Sequence, residues 1–392
     1  MVARSGRNTL RRNRRHHGEQ RAAGDIGRRG FYRGILGGLV PSGGSSLRYF
    51  AVLAALSGTL AAAPVLAPFQ SMTAHAAPNA VSANGITFED ALARFEAGDK
   101  KTALAYASSA AHKGSADAAV MAGYILRKGE AGYVNLDHAR RWYSMAAMKN
   151  HPDALVALGE MALKREAGLT DEDAVSYLTR AADMGRTDAM RALSDLHRMG
   201  HGTTANTAMS EQYLMKASQS FDKDATKRLG DTHFEKDPKQ ALKYYEQAAE
   251  AGHVEAAYIA GVMYAENFDI RPNSARSAAL LKQAAEGGHA AAQADYGLLV
   301  YQGAGAARSE AEAAKWFEKS ALGGDGEGQF LYAFTLAKGE GVAQNFEEAY
   351  YWLLKSGQSS VDDYIKDKAE LKKRLEANVD PAILARARAR LN

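Results

Sequence analysis

The sequence predicts an all-α chain: a solenoid of about seven 36-residue two-helix repeats, closed by polar capping helices. Three observations carry that expectation. Small residues ending a Trp/Tyr-x-x-x-small pattern recur at Ala110, Ala146, Ala181, Ala217, Ala248, Ala284, Ser320 and Ser356, spaced 36, 35, 36, 31, 36, 36 and 36 residues apart. Columns at fixed offsets stay in register with them over some 250 residues. A capping residue stands eleven positions ahead of each one. Self-similarity at such a period marks a repeat architecture, in which each unit buries its apolar face only against its neighbours.

The first element, residues 1–76, reads as an address. It holds eleven of the 49 Lys and Arg residues but only Glu19 and Asp25 among the acids, so the remainder carries 38 bases against 43 acids and is mildly acidic. The whole-chain charge of +4 therefore gives no ground for a nucleic-acid surface. The basic run is followed by the apolar stretch Tyr49–Ala63, Pro64 and Pro68, and Ala74-His75-Ala76. Basic, apolar, then Ala-x-Ala is the order of a secretory signal, with cleavage after Ala76 and a periplasmic or secreted mature chain. The alternative is an uncleaved anchor facing the periplasm, although the apolar run is short for a span of about 20 residues. Arg28-Arg29-Gly30-Phe31-Tyr32-Arg33 is similar to a twin-arginine export signal; a plain basic region, with a start codon set upstream of Val40, is the simpler reading. An RNA-binding arm is disfavoured, since no aromatic interleaves with the arginines before Phe31.

The second element, residues 77–114, is expected to be an opening pair of helices. Thr87-x-x-Asp90 starts one running from Phe88 to about Ala97, and the next covers 100–113. The third, residues 115–357, holds the repeats. The second helix of each begins after Asp99, Asn135, Thr170, Asn206, Asp237, Asn273, Ser309 or Asn345, all residues whose side-chain oxygen can satisfy free N–H groups of the first turn. Ser309-x-x-Glu312, Asn345-x-x-Glu348 and Asp237-Pro238-x-Gln240 approach full capping boxes. The column Tyr106, Trp142, Tyr177, Tyr213, Tyr244, Leu280, Trp316 and Trp352 is expected to face inward together with the alanines, and the helix ends near Gly114, Gly185, Gly252 or Gly288.

The first helix of the next repeat follows, with Asp117, Asp153, Asp188, Asp224, Glu255 or Glu327 at its positive end. Gly123, Gly159, Gly230, Gly261 and Gly297, with Ser194 and Ala333 in the same column, mark close helix approach. A mid-helix glycine costs about 1 kcal/mol against alanine and needs a packing reason. The 31-residue spacing falls between Gly230 and Tyr244, so a loop is shortened there while both helices survive. The last element, residues 358–392, supplies polar caps: Ser360-x-x-Asp363 opens one helix, and Asp380-Pro381 opens another that ends in Arg386, Arg388 and Arg390.

Gly339-Glu340-Gly341-Val342 with Asn345, Ala349 and Trp352, and the run Ala139-Arg140-Arg141-Trp142-Tyr143-Ser144-Met145-Ala146-Ala147, resemble the Sel-one-like repeat, a relative of the tetratricopeptide repeat. The resemblance covers about Ala103 to Gly357. It departs most in the third and fourth repeats, where Ser194 replaces the column glycine and Phe221 stands where a glycine usually ends the helix. It implies a right-handed α/α superhelix and a role in assembling protein complexes. Some related cysteine-rich solenoids act on penicillins, but this chain has no cysteine, so that activity does not carry over.

No catalytic, cofactor or metal constellation emerges. Without cysteine there is no disulfide framework, thiol nucleophile or Cys-type zinc site. His151, His253 and His289 recur at one repeat position, at least one repeat apart, too far to share a metal whose ligands must lie within about 2.0–2.3 Å. His197 and His201 have i, i+4 spacing, but Gly200 and Gly202 end the helix there. Gly303-Ala304-Gly305 and Gly339-Glu340-Gly341 lack the strand and Gly-Lys-Ser/Thr of a phosphate loop and read as turns. No Gly-x-Ser-x-Gly elbow occurs.

The informative variation lies 10, 14 and 17 residues past each anchor, on the first helices. This stripe is charged in the third and fourth repeats (Arg191, Asp195, Arg198, Lys227, Asp231) and apolar in the fifth to seventh (Tyr258, Val262, Leu298, Tyr301, Phe330, Phe334). Two readings stand side by side: contacts between neighbouring repeats, or an exposed groove for a partner segment. On the second, Tyr258, Val262, Leu298, Tyr301, Phe330 and Phe334 take apolar side chains of a partner, with Arg191 and Lys227 steering it. The functional expectation is an exported, monomeric, non-enzymatic scaffold for other proteins. Its rivals are an adaptor for exopolysaccharide export or peptidoglycan machinery, and a hydrolase hidden in the groove. No cofactor and no nucleic acid are expected, and membrane contact only through the N-terminal segment.

Overall fold

The computed structural model describes residues 85–266, 268–357 and 364–391. The signal-like element and the Ser360/Asp363 cap lie outside the described residues. Among those described there are eighteen α-helices and no strand, so the chain is an α/α solenoid. They fall into two compact units, divided between Leu229 and Gly230. No described helix is long and apolar enough to cross a membrane.

The unit up to Leu229 opens with α1 (Phe88–Glu96) and α2 (Lys100–His112). Thr87 and Asp90 close a reciprocal capping box at the start of α1, as their spacing predicts. The helix pairs α3 (Ala116–Lys128) with α4 (Leu136–Met148), α5 (Pro152–Leu163) with α6 (Asp171–Asp183), and α7 (Thr187–Met199) with α8 (Thr207–Gln219) follow. Helix α9 (Lys223–His233) begins in this unit and ends in the next. The second unit continues with α10 (Pro238–Glu250). It then pairs α11 (Val254–Ala265) with α12 (Ser274–Glu286), α13 (Ala290–Gln302) with α14 (Glu310–Leu322), and α15 (Gly326–Lys338) with α16 (Phe346–Ser356). Helices α17 (Ile365–Asn378) and α18 (Pro381–Ala389) end it.

All eight predicted caps form. The side chains of Asp99, Asn135, Thr170, Asn206, Asp237, Asn273, Ser309 and Asn345 each accept the backbone N–H three residues on. The reciprocal half of the box, however, forms at Thr170 and not at Ser309, Asn345 or Asp237. The reason lies in the backbone. The N–H groups of Ser309 and Asn345 already donate to carbonyls nine residues back, Val300 and Leu336, at the end of the preceding helix (3.1 and 3.0 Å). Asp237 N–H likewise donates to the carbonyl of His233 at 2.8 Å. Glu348 is left to pair with Arg390 instead.

The small-residue column does what close packing requires. A Cβ built on Gly123, Gly159, Gly230, Gly261 or Gly297 would stand 2.5–2.9 Å from Tyr143, Leu178, Tyr245, Leu281 or Phe317 of the helix paired with it. Where Ser194 replaces the glycine, the small-residue position opposite is also serine. The Ser194 and Ser210 hydroxyls are both buried and bond each other at 2.8 Å, so neither is left unsatisfied.

These partners correct one expectation. The deepest side chains of the second helices lie three residues before each anchor (Ala107, Tyr143, Leu178, Leu214, Tyr245, Leu281, Phe317, Leu353), and all are buried. The conspicuous aromatic column one residue earlier sits at the edge of the core. Tyr106, Trp142, Tyr177, Tyr213 and Tyr244 are half-buried, and only Leu280, Trp316 and Trp352 are buried. A residue is 100° of helix from its neighbour, so both columns cannot point into the same crevice. The outer aromatics lie against flanking rings, as Tyr213 does on His197 (5.5 Å) and Trp316 on Tyr296 (5.5 Å).

Candidate functional site

The stripe on the first helices was the candidate surface, and its geometry is repetitive. The residue ten past the anchor meets the start of the next first helix. On α7, the Arg191 guanidinium reaches Asp222 and Asp224 at the head of α9, both at 3.2 Å. On α11, the Tyr258 ring stacks on His289 at the head of α13, centroids 4.2 Å apart. On α15, the Phe330 ring stacks on Tyr364 at the head of α17, centroids 5.0 Å apart.

In the unit up to Leu229 the charged stripe is taken up internally. Asp195 receives Arg198 from its own helix and Arg228 from the next first helix, α9, and Lys227 is buried. Arg127 on α3 does the same two repeats earlier, bonding Glu160 on α5 at 2.9 Å and Glu166 in the following turn at 2.8 Å. Burial by itself would lower the Arg127 pKa, but these two carboxylates hold it above the ordinary arginine value.

In the second unit Tyr258, Val262, Leu298 and Phe330 are each less than a tenth exposed. The expectation of one continuous exposed strip fails at these four. Adjacent first helices lie side by side, and the stripe is the face that each turns to the next. Tyr301 and Phe334 alone stay half-exposed. The Tyr301 hydroxyl donates to Glu340 at 2.6 Å, and desolvation together with that carboxylate pushes the phenol pKa up. The Lys338 ammonium lies 4.5 Å from the Phe334 ring and 3.1 Å from Glu340. What survives of the predicted surface is therefore a patch at the C-terminal ends of α13 and α15.

The repeated histidines turn out to be helix caps. His253 and His289 accept the N–H of Ala256 and Ala292 through Nδ1, each at 3.2 Å. His151 instead places Nε2 2.9 Å from Asp117. Among the described residues no group of three or more His, Asp or Glu side chains could hold a metal.

One exposed group escaped the stripe argument. Phe221 is 94% exposed in the turn between α8 and α9, with Met148, Met184 and Leu322 exposed in or beside equivalent turns. Its signal was available in the sequence, as the one aromatic in a turn column of glycines.

A search of solved structures finds fold relatives. A Sel1 repeat protein from Oxalobacter formigenes is 23% identical; the match covers 73% of this chain and 87% of that one, with a TM-score of 0.58. The protective antigen c5321 of uropathogenic Escherichia coli strains, which displays an SLR fold, is 17% identical (77% and 83% covered, TM-score 0.34). Immunity protein Pa5087 from Pseudomonas aeruginosa is 18% identical (53% and 88% covered, TM-score 0.33). At 23% identity the first of these speaks to fold alone, and the other two, with TM-scores below 0.5, carry no argument. No curated protein matches. The Sel1 repeat model matches residues 116–151, 152–185, 187–220, 229–253, 254–289, 290–325 and 326–360, its shortest match falling where the 31-residue spacing occurs. With well over half of its length in seven such matches, six of them a first helix with the second helix that follows it and the 229–253 match the end of α9 with α10, the chain belongs to the Sel1 repeat family.

Proposed function

We propose that this Sel1 repeat protein is an exported, non-enzymatic scaffold that holds other proteins together in the cell envelope. Sel1 repeat proteins are typically protein-interaction scaffolds, and the run of seven repeats is the observation that carries the reading. The helix pairs spend their recurring columns on one another, through glycine contacts and caps, and leave chemistry-bearing side chains in ion pairs between repeats. The basic–apolar–Ala-x-Ala order of residues 1–76 supports export.

N-terminal sequencing of the protein from the envelope fraction tests the export half. A mature chain beginning at Ala77 is the expected result. An intact arginine-rich start on cytosolic protein would overturn it.

A further inference from the structure

Three of the turns joining first to second helices repeat one device, and the turn after α11 departs from it. Gly202, Gly305 and Gly341 take positive φ (64°, 75° and 71°), and a Cβ on any of them would collide with the backbone of Asp171, Ser274 or Glu310, the first helical residue of the preceding second helix. Each such turn therefore lies directly on the helix start before it. The equivalent position in the turn after α11 is Asp269, which keeps the left-handed backbone (φ 58°) but carries a side chain. A turn with a Cβ at that point cannot close to the same distance, and residues 230–244 ahead of it belong to the shortened repeat.

A cleft of about 790 Å³ opens there, between this turn and α10. Leu242, Ile270 and Pro272 give it apolar walls, and Lys239, Lys243 and Arg271 line it. The two lysines stand four residues apart on α10, hence on one face. None of the three cations makes a hydrogen bond or ion pair with a described residue. The acid in the lining, Glu246, is already engaged by Arg276 (2.8 Å) and the Tyr264 hydroxyl (3.0 Å). The cleft thus offers three unneutralised positive charges around an apolar floor.

We propose that this cleft is a receptor site for an acidic segment of a partner protein, with carboxylates on Lys239, Lys243 and Arg271 and an intervening apolar side chain on Leu242 and Ile270. The proposal rests on the scaffold reading and names the chemistry of one of its partners. Cations facing carboxylates across an apolar contact give orientation and a fast, salt-sensitive association.

The probe is a fluorescein-labelled octapeptide of glutamates with one central leucine, titrated against the full chain by anisotropy; its glutamine counterpart and a thymidine octanucleotide serve as comparisons. The acidic peptide should bind at least tenfold more tightly than the glutamine peptide, with affinity falling as salt rises. The paired substitution Lys239→Glu and Lys243→Glu should abolish this at unchanged thermal midpoint, since both side chains are exposed. Lys315→Glu, on an exposed position of α14, should leave it intact. No binding by the wild-type chain, equal loss with Lys315→Glu, or tighter binding of the oligonucleotide would each overturn the proposal. None of these results touches the scaffold reading, which stands or falls on the native complex described at the end of the Discussion.

Discussion

Phe221 holds φ at 62° in a turn where Gly114, Gly185, Gly252, Gly288 and Gly324 adopt the left-handed region without a side chain to resist it. Non-glycine residues there cost of order 1–3 kcal/mol, and at 94% exposure the ring recovers little by burial. Phe221→Gly should therefore stabilise the protein by about 1 kcal/mol, read as a rise in denaturant midpoint at unchanged slope; a fall would mean that the ring contributes packing that its exposure does not suggest. His289 makes a second prediction at this scale. Its Nδ1 must be unprotonated to accept the Ala292 N–H, and burial lowers its pKa from 6.5, against the pull of Glu255 and Asp325. A base with a depressed folded-state pKa contributes stability that is present above 6.5 and lost as pH falls toward the folded value. Thermal midpoints should drop between pH 7.5 and 5.5. His289→Asn, which keeps a capping side chain but does not titrate, should flatten part of that drop; identical pH profiles would show that His289 is not a contributor.

Helices meet through the glycine column, and the cost of filling it can be stated. Gly261→Leu would drive a side chain into Leu281, and Gly297→Leu into Phe317, where even a Cβ stands 2.8 or 2.7 Å away. Each should destabilise by about 1–3 kcal/mol or more, and unchanged denaturant midpoints in both would contradict the contact. The caps and glycines were legible in the sequence because their chemistry is local: an Asn or Ser oxygen reaches its own first turn whatever lies beyond. The true core column was not. At three residues before the anchor the chain places Ala107, Tyr143, Leu178, Leu214, Tyr245, Leu281, Phe317 and Leu353, a series that shares burial but no side-chain type. The aromatic column beside it shares a type and drew the eye. The stripe misled for a related reason, since periodicity fixes which helix face a residue occupies but not which neighbour covers that face. Its two fates now separate by experiment. Phe330→Ala should cost about 3–5 kcal/mol as a core aromatic, while Tyr301→Ala and Phe334→Ala, half-exposed, should cost about 1 kcal/mol each. Equal losses at all three would make Tyr301 and Phe334 core residues too. The cleft beside α10 was written in the sequence as Asp269 standing where Gly202, Gly305 and Gly341 stand, a departure that only the stacked turns turn into space.

At the scale of the molecule, the repeats account for most of the chain, and the ends are finished differently from the middle. On α18, Arg386 and Arg390 pair with Glu347 and Glu348 of α16, and Arg388 reaches Glu376 of α17 and the Tyr350 hydroxyl. Leu384 and Ala387 are buried alongside. Polar terminal helices of this kind let a solenoid end in water rather than on another repeat. The opening pair α1 and α2 buries Ala91, Leu92, Ala103 and Ala107 at the other end. A chain so organised spends its side chains on holding its own stack together and offers surface to others. The measurement that tests this most directly is the mass of the complexes that contain the natively expressed chain, taken by native mass spectrometry after gentle purification from the envelope fraction. The account predicts species heavier than the mature chain by at least one different protein in defined ratio. Recovery of the chain alone, or bound only to copies of itself, would contradict it.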